Sequence, residues 1–230
     1  LKFRRVLFRS RCSCANEAIA EAAFESANIP LNYDRASLDN FEMPRDNPTA
    51  RSGLGRVLMQ VRSFVREFPS EKHPGLLLIG DPGTGKTHLA VGALKALLLK
   101  GHRGTFFDYQ NLLDRIRSGY DPASGASDKE AYRSALEADI LLLDDLGSHR
   151  VTEWVEDTVT SIITYRCNNR KPLIATTNLP DVAANGNAEG LSSYKKSLPE
   201  VIGLRARSRL YEMCRVVVMP AVEDYRLRNQ

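Results

Sequence analysis

The stretch "GDPGTGKT", residues 80–87, decides how the rest of the chain is read. It fills the template G-x-x-x-x-G-K-[ST] with Gly80, Gly85, Lys86 and Thr87. An apolar run, "LLLI", precedes it, and a helical run, "KTHLAVGALKALLLK", begins inside it, giving the strand, loop, helix order that phosphate binding requires. Glycines let successive backbone N–H groups curl around a phosphate, and the helix N-terminus adds partial positive charge. In this reading Gly80, Asp81, Pro82, Gly83, Thr84 and Gly85 shape the cradle, Lys86 reaches the β and γ phosphates, and the Thr87 hydroxyl binds magnesium. His88 closes the nucleotide-binding run on the first helical turn, its ring assigned to packing.

Outward from the loop, short apolar runs alternate with helical segments: "GLLLIG", "GTFFDY", "DILLLDDLG", "KPLIATTN" and, near the C-terminus, "RVVVMP". Strands with no polar face belong to a parallel sheet covered on both sides. The expected class is therefore α/β, a doubly wound, five-stranded parallel sheet with helices on both faces. Upstream, "RVLMQVRSFVREF" sets Val57, Val61, Phe64, Val65 and Phe68 on one face at helical spacing. Before it, "ANEAIAEAAFESANIP" reads as a short Ala-rich helix ending at Pro30, followed by the loop-like "LNYDRASLDNFEMPRDNP". The polar stretches "GYDPASGASDKE" and "DVAANGNAEGLSSYKKS" read as surface loops.

A phosphate loop alone does not separate kinases, GTPases and motor-like ATPases, so the other strand ends matter. "DILLLDDLG" ends in Asp144 and Asp145, the first placed to hold magnesium and the second to polarise an attacking water. In "LIATTNL" the strand ends at Asn178, an amide placed to bridge that water and the γ-phosphate, with Thr177 as its back-up. "GLRARSRLYEMC" then brings Arg205, Arg207 and Arg209 onto a helix, Arg205 and Arg209 on one face. An arginine supplied from there to a neighbouring subunit's nucleotide is worth about 10³ to 10⁵ in rate, and requires self-association.

The net charge of +4 does not by itself point to nucleic acid, because Lys2, Arg4, Arg5 and Arg9, with no acid among them, lie in residues 1–10. The segment "RVLFRS" within them is similar to the translation of a sequencing-adapter end, so residues 1–10 are expected to be non-native and to carry no function. No apolar run reaches the roughly 18 to 20 residues needed to cross a bilayer, which argues against a membrane partner and for a cytoplasmic protein. Four cysteines, with Cys167 and Cys214 read as helical, argue against a disulfide framework. Of the histidines, His73, His88, His102 and His149 have no metal-ligand spacing.

With these residues in view, the chain resembles the AAA+ ATPases of the DnaC/IstB group, helicase loaders and transposition helper ATPases. The likeness runs from Cys12 to Arg228 and rests on "NIPLNY", "LDNF", "GDPGTGKTHLA", "LLDDLG", "TEWVEDTVTSIITYRCNNRKPLIATTNL", "SRLYEMC" and "EDYRL". It implies an AAA+ core over residues 51–230, ATP and magnesium as ligands, Asn178 as the first sensor, Arg209 as the finger with Arg205 assisting, and Arg226 as a stand-in for the second sensor. With so little chain after Met219, no C-terminal helical lid is expected. Asp145 stands where many AAA+ enzymes have Glu, one methylene longer, which implies slow hydrolysis suited to a switch. The stretch from Asp181 to Pro199 is longer than usual for the group.

Further implications follow from the resemblance. A zinc-binding segment precedes the ATPase in many members, and Cys12 and Cys14 match its second cysteine pair, so residues 11–50 are read as the remnant of a zinc module with a helix and linker. As written this is half a tetrahedral site. The resemblance implies a replicative DNA helicase and single-stranded DNA as partners, with Arg115, Arg117 and Tyr120 in "YQNLLDRIRSGY" as the DNA-facing candidates. The alternatives left open are a transposition helper, a small-molecule P-loop kinase and a nucleotide-dependent scaffold that does not hydrolyse.

Overall fold

Five apolar pentapeptides build the frame, and a computed structural model describes them within residues 22–119, 127–181 and 196–227. They are β1 (Gly75–Ile79), β2 (Gly104–Asp108), β3 (Ile140–Asp144), β4 (Leu173–Thr177) and β5 (Cys214–Val218). All pairings are parallel, in the order β2-β3-β4-β1-β5. The expected α/β class and five-stranded parallel sheet are therefore what the chain adopts. Alternation within each strand feeds two cores. Leu77, Ile79, Leu141, Leu143, Leu173 and Ala175 face one side, whereas Leu76, Leu78, Leu142 and Ile174 face the other.

Helix α1 (Pro48–Glu67) begins earlier than its apolar spacing indicates. Asn47 Oδ1 accepts from Ala50 N at 2.9 Å and Pro48 occupies the first turn, a start signal independent of the buried face. That face, including Val57, Val61, Phe64 and Val65, packs over α2 (Lys86–Leu99), while Phe68 lies just past the helix end, its ring near Phe64 and His102. The opposite side of the sheet carries α3 (Tyr109–Ser118), α4 (Ser127–Glu137), α5 (Glu153–Asn168) and α6 (Leu198–Met213). Caps fix their starts: Asp108 accepts from Asn111 N, Thr152 from Val155 N, and Glu200 from Ser197 N. Gly203, at φ +81°, interrupts α6. Cys167 is helical as expected, but Cys214 is the first residue of β5, because α6 ends at Met213 and the chain enters the sheet without a turn.

One buried charge ties together the elements on the α3–α6 side of the sheet. Arg166 on α5 is fully buried and donates to the carbonyls of Ala135 and Leu136, which close α4, and to Pro172 ahead of β4. A cation at a helix C-terminus satisfies carbonyls that have no partner within the helix. Burial pushes its guanidinium down to about 10, opposed by the charge of Glu137. Replacing Arg166 with Ala removes the donors and leaves a cavity, and is expected to lower the unfolding free energy by about 2–4 kcal/mol. Urea titration of wild type and variant measures this.

Candidate nucleotide site

The loop after β1 is shaped from within. Gly80 N donates to Thr177 O at 3.2 Å, and the Asp81 carbonyl accepts from Thr84 Oγ1 at 2.8 Å and Lys86 Nζ at 2.7 Å. Gly80 and Asp81 thus stand one step behind the cleft that Pro82 through His88 line. Gly83 and Gly85 have φ of +73° and +90°, the left-handed region that glycine enters without penalty. Space demands them too: a Cβ at Gly83 would lie 1.9 Å from the Asp224 carboxylate, and one at Gly85 2.6 Å from the Phe41 ring.

Asp144 and Asp145 stand at the carboxyl end of β3, facing this loop. Thr87 Oγ1 donates to Asp144 Oδ1 at 2.9 Å. Thr176 Oγ1 donates to the same oxygen at 2.6 Å while accepting from Asp145 N at 2.9 Å, so one hydroxyl holds both acids. Asn178 Nδ2 donates to Asp145 Oδ1. The expected quartet of Lys86, Asp144, Asp145 and Asn178 thus meets in one place. Thr176 was not anticipated, although strand alternation puts it on the same side as Asn178. The same alternation corrects the back-up role given to Thr177, which is fully buried and bonded to Leu146 O and Leu179 N.

Burial sets the electrostatics. It pulls the Lys86 ammonium down to about 8, against the attraction of Asp145 and Asp144. It also raises both carboxyls, Asp144 against the hydrogen bonds of Thr176 and Thr87, and Asp145 against the charge of Lys86. The site is arranged as a cation and two acids in a poorly solvated cleft, with an amide on the outer acid. Thr87 and Asp144 together present hard oxygen donors, a set that suits magnesium.

The cleft, about 800 Å³, has two further walls from opposite ends of the described chain. Residues 32–44 form one and residues 222–226 the other. His88 Nε2 lies 2.9 Å from Ser37 O and 3.0 Å from Asn40 Oδ1, pinning the first wall to α2. Tyr225 N donates to Gly83 O at 3.1 Å and Tyr225 Oη to Glu42 Oε2 at 2.8 Å, joining the second wall to the loop and to the first. Arg226 lines the cleft and is paired with Asp224, its Nη2 at 2.8 Å from Oδ2. The resemblance marks parts of these walls, through "LDNF", "EDYRL" and Arg226, but their closure over the loop across long separations is not written locally.

The α6 arginines are elsewhere. Arg205 is exposed, Arg209 pairs with Glu212, and Arg207 with Asp181, so none lines this chain's own cleft. On α3, Arg115 and Arg117 lie over the rings of Phe107 and Trp154. Cys12, Cys14 and Tyr120 fall outside the described residues. Among the described residues, no helix is long and apolar enough to cross a membrane.

A family model described as IstB-like ATP binding protein matches residues 53–184. The chain belongs to this family. A crystal structure of the DnaC helicase loader is similar to it, with 34% identity and a TM-score of 0.67 over 83% of this chain and 100% of that one. The fold is that of the AAA+ proteins DnaC and DnaA, and the family is that of the DnaC-like helicase-loader ATPases. A crystal structure of DnaI has the same fold at 21% identity and a TM-score of 0.59 over 85% of this chain and 93% of that one. Among curated proteins, the uncharacterized YqaM of Bacillus subtilis is 20% identical over 90% of this chain, and the replicative helicase loader DnaC of Escherichia coli K12 is 22% identical over 69%. The matched region spans 62% and 61% of those two relatives.

Lys86 gives a pH test. An anionic phosphate beside the ammonium restores its affinity for the proton, so nucleotide binding is expected to take up a proton above pH 8 and none through Lys86 well below it. Calorimetric enthalpies at pH 8.5 should differ between buffers of unlike ionisation heat, and affinity should fall as pH rises past 8. Buffer-independent enthalpies would contradict the assignment.

Proposed function

We propose that this protein binds ATP with magnesium, hydrolyses it slowly, and uses the cycle to load or remodel a replicative DNA helicase on single-stranded DNA. The observation that carries the reading is the convergence of Lys86, Thr87, Asp144, Asp145 and Asn178 on one cleft. Support for the helicase comes from the likeness to the DnaC helicase loader.

In this reading Lys86 holds the β and γ phosphates, and Thr87 and Asp144 hold the magnesium ion, which when bound neutralises phosphate charge. Asp145 accepts hydrogen-bond character, and then the proton, from a water attacking the γ-phosphate. Asn178, already on Asp145, orients that water. The short Asp side chain keeps turnover slow. Arg209, with Arg205, serves the nucleotide of a neighbouring copy, and Arg226 leaves Asp224 to meet the phosphates. Arg115, Arg117 and Tyr120 face DNA, and Cys12 and Cys14 contribute half of a zinc site. The setting is the cytoplasm, where replication takes place.

A transposition helper is a second reading, favoured by the matched family itself, which is described as IstB-like. Asp145→Asn is expected to keep nucleotide affinity while cutting phosphate release by about 10² or more. Wild-type turnover stimulated by single-stranded DNA, together with co-purification of a replicative helicase, supports the loader. Filaments on duplex DNA without helicase binding would instead support the helper. Unchanged turnover in Asp145→Asn would remove the assigned role of that residue.

A further inference from the structure

Of the three arginines on α6, Arg207 is the one turned toward the nucleotide-sensing strand. Its Nε and Nη2 donate to Oδ2 and Oδ1 of Asp181 at 2.6 and 2.9 Å, and Asp181 is only 1% exposed. The guanidinium also stacks on Tyr211, 4.5 Å from the ring centroid. Burial, and then the Asp181 carboxylate, push the Tyr211 phenol up to about 12. A bidentate pair this well shielded fixes distance and orientation together.

Its position in the chain gives the pair meaning. Asp181 follows Asn178 by three residues, and the segment between is held at both ends: Leu179 N donates to Thr177 Oγ1 at 3.1 Å, and Leu198 N donates to Pro180 O at 2.9 Å. A segment so short and so tethered passes on a shift of Asn178 instead of absorbing it. At the receiving end, Gly203 breaks α6 just before the turn that carries Arg205, Arg207 and Arg209. The break uncouples the backbone of the following turn from the helix start at Leu198, while Ala206 and Leu210 seat that turn in the core, so any reorientation is a small one. For stability alone an apolar pair would serve as well, since desolvating two charges offsets most of their attraction.

We propose that Arg207 and Asp181 are positioning residues: their ion pair sets the orientation of the exposed arginine face of α6 according to the state of Asn178. The proposal rests on the nucleotide reading above. Arg207 is then not itself available to a neighbouring nucleotide, and Arg205 and Arg209 are presented, or withdrawn, through it.

Hydrogen exchange of the whole chain with and without magnesium and a slowly hydrolysed ATP analogue tests this. In wild type the analogue should change exchange in residues 204–213. In Arg207→Gln the analogue should bind with unchanged affinity while the exchange response falls by about threefold or more. Adding Arg207→Gln to Asn178→Ala should cause no further loss, an outcome that a merely structural ion pair would not give. Asp181→Asn, which keeps the shape and removes the charge, provides the same reading should Arg207→Gln unfold. A full response in the variants, a response lost independently of Asn178, or no response in a nucleotide-bound wild type would each overturn the proposal. Failure of wild type to bind the analogue would instead overturn the nucleotide reading on which it stands.

Discussion

A parallel sheet delivers the carboxyl end of every strand to the same edge, and at that edge β1, β3 and β4 stop side by side. The rest of the candidate site depends on this constraint. The loop after β1 opens α2, so a helix N-terminus points at the edge with its unpaired N–H groups. Asp144 comes from β3 and Asn178 from the end of β4, each carried there by its own crossover. No strand supplies more than part of the chemistry, and the sheet order alone brings the parts within hydrogen-bond reach. Such grouping at the carboxyl ends of strands is where open α/β sheets bind ligands.

What the edge assembles is costly to fold. A lysine whose ammonium is held near 8, against an ordinary value of 10.5, loses on the order of 3 kcal/mol of native-state stability at neutral pH. The sign follows from the lowered folded value: the cost is complete below about 8 and disappears as the unfolded lysine also loses its proton. Two raised carboxyls act in the same direction, since each is most costly when ionised. Thr176 limits the penalty by donating to one acid and accepting from the backbone of the other. Functional clefts commonly sit at such a local minimum of stability, offset by the core around them. Here that core is the sheet, with Leu76, Leu77 and Leu78 entirely buried.

The frame and the chemical groups were legible because each is written locally. Five apolar runs, a glycine-rich loop, paired acids and a terminal amide can be recognised within a few residues of one another. The remainder depended on tertiary placement. Thr176 and Thr177 are chemically identical, and only the direction of the pleat sends one to the acids and the other into the core. Nothing near Arg166 in sequence marks it as buried, because its partners lie at the end of α4 and ahead of β4. The start of α1 at Pro48 is set by a capping signal that lies outside the apolar face. The walls from residues 32–44 and 222–226 were marked only by the family likeness of "LDNF" and "EDYRL", since they meet the loop only after the chain has folded.

Those two walls also order the steps by which the site can come into being. Tyr225 and Glu42 are 183 residues apart in sequence and share a hydrogen bond above the phosphate loop. Once β1 has paired with β5, joining Gly75 to Cys214, only the short segments 42–75 and 214–225 remain to be closed, so the contact becomes feasible after the sheet and not before it. The sheet can therefore exist before the cleft does. A molecule able to hold a nucleotide is therefore one that has brought its distant segments together, so that occupancy of the cleft also reads out the completion of the fold.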